Sequence, residues 1–141
     1  MTANTNRQGS GETEIDKLIK GMRPKLNEGE YVFVTVENID VIDRKDTICE
    51  FKESEGTTII ITRKKADELK LSYQYLASWI TLMIHSSLEA VGLTALFSTV
   101  LAKNNISCNV VAGYYHDHIF VDSKDATKAM EVLTQLAREY N

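Results

Sequence analysis

The chain lacks the marks of a membrane, secreted or nucleic-acid-binding protein. No apolar run approaches the roughly 20 residues that span a bilayer. The opening residues 1–8, Met-Thr-Ala-Asn-Thr-Asn-Arg-Gln, are too polar for a signal peptide, so the expected compartment is the cytoplasm. There are two cysteines, Cys49 and Cys108, each inside a strand-like run. That pattern excludes a disulfide framework and reads as buried thiols. Basic residues are in deficit, 16 against 20 acidic ones, for a net charge of −4 and a pI near 5.4. The two basic clusters, Lys17/Lys20/Arg23/Lys25 and Arg63/Lys64/Lys65, are interleaved with carboxylates and read as solvated surface; no nucleic-acid partner and no membrane partner is expected. Gly-x-Ser-x-Gly, a P-loop, Cys-x-x-Cys and His-Glu-x-x-His are all absent, so neither a catalytic residue nor a cofactor is expected. His85 and Ser86 do not make a nucleophile–base pair, because neighbours on a strand point to opposite faces.

What is present suffices for one ordinary domain or two very small ones: 141 residues, 43% hydrophobic and 26% charged. Residues 1–12, rich in Thr, Asn, Gln, Gly and Ser, are expected to form a disordered tail. Ile15, Leu18 and Ile19 recur at helical spacing in a short helix that ends near Gly21, with Pro24 beyond it. Tyr31–Glu37 reads as a strand, Thr47–Ser54 and Thr57–Thr62 as a hairpin around Ser54-Glu55-Gly56, and Arg63–Leu69 as a short helix. Trp79–Ile84 is again strand-like. Leu93, Leu96, Phe97, Val100 and Leu101 follow at helical spacing, then a strand over Ser107–Ala112 and another over Asp117–Val121. The class is α+β.

The two halves repeat. An offset of 48 lays Tyr31–Glu37 on Trp79–His85. An offset of 60 lays Thr47–Phe51 on Ser107–Val111 and Thr58–Thr62 on His118–Asp122. The difference of 12 matches the length of the helix at Leu93–Asn104, so the first half reads as the same unit with that helix missing. The expectation is a first unit over 13–72, a second over 73–141, and two sheets of related topology. Ile80, Leu82 and Ile84 face the helices, while Trp79, Met83 and Phe120 make the opposite face apolar as well. A helix-poor half with a bare apolar face needs cover, and a homodimer is the simplest source of it.

Two constellations suggest chemistry. Split-crossover topology brings His85 near His116 and His118, where three imidazoles and a water suit Zn²⁺, or where hydrogen bonds at a strand end or interface suit a structural or ligand-contacting role. The second role is favoured and no tightly bound metal is expected, since no carboxylate stands in matching register. Ser86-Ser-Leu-Glu89 reads as a capping box. Gly92 sits where strand gives way to helix; it serves either backbone geometry alone or a small polar ligand held by helix-start amides. Gly113-Tyr114-Tyr115 reads as a turn with exposed aromatics that cover a neighbour or an interface.

Val91-Gly92-Leu93-Thr94, followed by Asn105-Ile106-Ser107-Cys108-Asn109-Val110, resembles the turn and second strand of the ACT family of small-molecule-binding regulatory domains. The continuation Gly113–Val121 is similar to short, little-characterised bacterial ACT-like proteins, and the resemblance covers about residues 77–136. Many ligand-binding members have an acidic residue and a proline where this chain has Ala90 and Val91. The resemblance implies tandem ferredoxin-like βαββαβ units, the N-terminal one lacking a helix. It also implies a non-catalytic regulatory dimer that binds an amino acid or related metabolite. Ser87, Gly92, Leu93, Thr94 and Asn109 are then the expected pocket, closed by an adjacent unit. A ligand-free interaction module and a His-based metal-binding protein are the alternatives.

Overall fold

The computed structural model describes residues 15–84 and 91–139. The expected tail, His85, Ser87 and the whole Ser86–Glu89 capping box lie outside these residues. The chain enters on a helix, α1, with residues 15–21 helical. Then come β1 (Arg23–Leu26), β2 (Tyr31–Val36), β3 (Thr47–Lys52), β4 (Thr57–Thr62), α2 (Arg63–Glu68) and β5 (Leu76–Met83). The second half continues with α3 (Leu93–Lys103), β6 (Asn109–Ala112), β7 (Asp117–Asp122) and α4 (Ala126–Glu139). Between β2 and β3, where the second half has α3, there are only two single-turn 3₁₀ helices, Ile39–Val41 and Arg44–Asp46. The first unit does lack its helix.

Strands join in one antiparallel sheet rather than two, in the order β3-β4-β2-β5-β7-β6, with β1 also on β5. The merging strand is β5. Its start, Leu76 and Ala77, pairs with Val32 and Tyr31 of β2, its end, Ile80–Met83, pairs with β1, and Ala77–Leu82 pair with β7 on the other side. Strand β1 is not legible in the sequence, where Pro24 reads as a helix stop. A proline is tolerated there because β1 pairs on one side only, as edge strands do. Together β1 and β2 form one long strand interrupted at residues 27–30, where Gly29 takes φ +95°.

Alternation along β5 divides the core. Ile80 and Leu82 pack with Ile119 and Val121, Phe97 and Leu101 of α3, Leu133 of α4, and Ile19 and Met22 from the first segment. Val32, Val34, Ile59 and Ile61 pack with Ala66 of α2. The opposite face holds Tyr31, Ile60, Ala77 and Phe120, with Phe33, Tyr75, Trp79 and Val111 around them. No helix residue contributes to this third cluster, so among the described residues it is a one-sided aromatic layer. Both faces of β5 are apolar, as alternation predicts. Packing also crosses the division at 72/73, because Ile15, Leu18, Ile19 and Met22 pack into the core of the C-terminal half.

The registers make the repeat concrete. Cys49 pairs with Ile60 and Asn109 with Phe120; Phe51 pairs with Thr58 and Val111 with His118. Even the turns match, Glu53 N donating to Gly56 O at 3.0 Å and Gly113 N to His116 O at 2.9 Å. All of these obey the offset of 60. The first strands differ from the sequence alignment: Thr62 pairs with Tyr31 and Asp122 with Ala77, which sets their offset at 46 rather than 48. A slip of two preserves which face each side chain takes, so hydrophobic pattern alone does not expose it.

Candidate functional site

Helix α3 begins on Gly92, whose φ of +94° and ψ of −15° are left-handed, and Leu96 N closes the first turn on Gly92 O at 3.0 Å. The cap makes no side-chain hydrogen bond. Elsewhere the caps are filled: Thr62 Oγ1 accepts from Lys65 N at 3.2 Å, and Asn38, Asp43 and Asp122 cap their 3₁₀ turns in the same way. The first amides of α3 therefore face outward with the positive end of the helix dipole behind them. Leu93 is buried in the core, so it offers this site its backbone and not its side chain. Thr94 is exposed beside it.

Asn109 lies elsewhere. It opens β6 opposite Phe120, and its Nδ2 reaches Phe120 O at 3.5 Å. Since Val110 packs on the helix side and Val111 on the aromatic side, Asn109 shares the aromatic face. The structure brings Gly92, Leu93 and Thr94 together and puts Asn109 on the other side of the sheet.

The two described histidines are tied to β5 and to Ile84, the residue that follows it. Nδ1 of His116 donates to Ile84 O at 3.4 Å, next to the connection that leads into α3. His118 sits deeper, half-buried opposite Thr81. Its Nδ1 accepts from Trp79 Nε1 at 3.0 Å and lies 3.1 Å from Thr81 Oγ1. Thr81 in turn accepts from Asn27 Nδ2 at 2.9 Å, and Asn27 N and Nδ2 also donate to Trp79 O at 2.9 and 3.2 Å. Burial pushes the His118 pKa down, and His116 pushes the same way against the weaker pull of Asp117. Burial raises the Asp117 carboxyl. Among the described residues no group of three or more His, Cys, Asp or Glu is arranged to hold a metal ion. Nor is any helix there long and apolar enough to cross a membrane.

Asn27 and Thr81 were not singled out by the sequence. The one available signal was alternation, which puts Thr81 between Trp79 and Met83 on the aromatic face. Asn27 belongs to the interruption between β1 and β2, which the sequence does not reveal.

Comparison with known proteins follows the same division of the chain. The sequence matches the ACT domain twice, over residues 10–78 and over residues 75–135. A Vibrio cholerae protein described as of unknown function and a possible transport protein is 44% identical, with a TM-score of 0.81 over 90% of this chain and 98% of that one. An Agrobacterium tumefaciens protein is similar at 16% identity and a TM-score of 0.68, covering 82% of this chain and 89% of its own. The ligand-free regulatory subunit of aspartate kinase from Thermus thermophilus aligns over 80% of this chain and 95% of its own, with 8% identity and a TM-score of 0.56. At identities this low the last two likenesses concern the fold. No curated protein matches.

Proposed function

This chain belongs to the ACT-domain family, and on that footing we propose that it is a non-catalytic regulatory protein that binds an amino acid or related metabolite at the start of α3. The observation that supports this reading is the exposed, left-handed Gly92 cap, which as a glycine offers no side chain of its own to the amides that follow. Such amides suit a carboxylate, and Thr94 adds a hydroxyl beside them. The connection from β5, which includes His85 and Ser87, is the remaining expected wall. Asn109 takes part only through the aromatic face, and so only if an adjacent unit presents it. The proposed assembly is a homodimer, supported by the aromatic layer without helical cover, and the proposed compartment is the cytoplasm.

A thermal-shift screen against the twenty amino acids tests the ligand. At 100 Kd a ligand stabilises by about 2.7 kcal/mol, which such a screen resolves. Gly92→Leu is a poor control, because its left-handed φ strains any L side chain and a Cβ there would meet Ile15 Cδ1 at 3.3 Å. Thr94→Glu is better. A carboxylate in the first turn is expected to stabilise the helix by roughly 0.3–1 kcal/mol while repelling an anionic ligand. Undiminished ligand-induced stabilisation in that variant would place the site elsewhere. Light scattering that returns a 16 kDa species at every concentration removes the dimer.

A further inference from the structure

His118 is the meeting point of a hydrogen-bond chain that crosses the junction of the two halves. Thr81 Oγ1 accepts from Asn27 Nδ2, so its own proton is free to go to His118 Nδ1. The indole N–H of Trp79 points at that same nitrogen. An imidazole nitrogen that receives two donors holds no proton of its own, so the ring is neutral with its hydrogen on Nε2. The hydroxyl of Thr81 can rotate and become an acceptor. The indole cannot, because Nε1–H is a donor only.

We propose that His118 is a pH-sensitive latch: neutral, it holds Trp79 in the aromatic layer that joins the two halves, and on protonation it releases it. The layer gives that release its reach. Trp79 stacks on Phe120 of β7 with ring centroids 6.1 Å apart, and meets the edge of Tyr31 of β2 at 5.4 Å. Phe120 in turn meets Phe33 of β2 at 5.4 Å. A displaced indole therefore disturbs the contact between β2, from the first half, and β5 and β7, from the second.

The groups around the ring set the direction. Asn27 beyond Thr81, Trp79 and Thr81 on β5, Val111 on β6 and Gly113 in the hairpin turn are all uncharged. The titratable neighbours are His116 and Asp117, next to the histidine in sequence, while Lys25 of β1 pairs with Thr81 and so carries its ammonium on the same face one strand further away. Charge on His116 opposes protonation, and Asp117 favours it. Desolvation in the layer also opposes it, so the latch opens below the ordinary histidine range near 6.5.

Trp79 is the sole tryptophan, so its emission reports the latch in the full-length protein. The experiment is a fluorescence titration from pH 8 to 4.5, with far-UV circular dichroism alongside. The expected result is a change in Trp79 emission with a midpoint below 6.5, at constant secondary structure. His118→Gln, whose carbonyl can still accept from the indole, is expected to lose the transition, and His116→Gln to keep it with a midpoint moved upward. The same midpoint in His118→Gln, or emission that changes only together with the circular dichroism, overturns the proposal. Should His118→Gln not fold, nitrogen NMR of the wild-type imidazole decides. An Nε2–H tautomer at pH 8 supports the latch, and an Nδ1–H tautomer refutes it.

Discussion

Gly113 and the ring of His118 occupy one space between them. A Cβ at 113 would stand 2.9 Å from His116 O and 3.1 Å from His118 Nε2. Gly113→Ala is therefore expected to cost about 1–3 kcal/mol through overpacking, measured by urea denaturation. The equivalent residue of the first half, Glu53, has room for its side chain and contacts Thr58 Oγ1 with its carboxylate. The repeat thus exchanges a Glu–Thr contact for a Gly–His one. At this scale the sequence was partly legible. Gly92 could be located as the helix-start glycine because a strand pattern stops and a helix pattern starts around it. Trp79 and Phe120 could be assigned a common face. The partners of His118 could not, because Thr81 and Asn27 reach it only through strand pairings whose sequence separations, 37 and 54 residues, no local pattern reports. For Asn109 the strand itself was legible. What was not legible is that β6 begins there, with the alternation that turns its side chain away from α3.

Helix α3 is the element that distinguishes the two halves. Leu93, Phe97 and Leu101 form its buried stripe, at i, i+4 and i+8. Phe97→Ala is expected to cost about 3–5 kcal/mol, because the ring is fully buried in the helix-side core. The check is the shift of the denaturation midpoint at unchanged slope. Loss of cooperativity instead would mean that α3 is not integral to the core. The spacing of these three residues made the helix readable. Strand β1 was not, since four residues with a central Pro24 and mostly exposed side chains provide no alternation to detect. Its pairing with β5 depends on a partner more than fifty residues away. Helix α4 buries Ala129, Leu133, Leu136 and Ala137, also at helical spacing. The offset of 60 lays only its start on the first half, where the six-residue α2 stands.

For the whole molecule, pH bears on stability from two sides. Burial raises the pKa of Tyr31 and Tyr75, the latter against an opposing hydrogen bond from Ser107. A tyrosine held neutral by the fold contributes stability that is complete below about 10 and is lost as pH rises through its higher folded value. His118 works in the other sense. Its folded pKa is depressed, so its contribution is complete above about 6.5 and is lost as pH falls through the folded value. The melting temperature of wild-type protein is expected to fall above pH 10, and to fall less steeply in Tyr75→Phe. Parallel alkaline curves for the two proteins would mean that the Tyr75 hydroxyl does not contribute. That the halves form one sheet was beyond the sequence, which presents β2 and β5 as the first strands of separate units. The pairings that join them are both made by β5, Tyr31 with Ala77 and Val32 with Leu76 on β2, and Ile80–Met83 with β1.

Ile19 and Met22 lie in the core of the C-terminal half, against partners that include Phe97 and Leu133. A ribosome delivers these two residues first and Leu133 last. At about 5–20 residues per second the interval is on the order of ten seconds. Over that time the first half can pair its own three strands, β2, β3 and β4, while the segment ahead of it waits exposed. Ile19 and Met22 are therefore made well before the helices that bury them, and they are among the apolar residues of the nascent chain most in need of a chaperone.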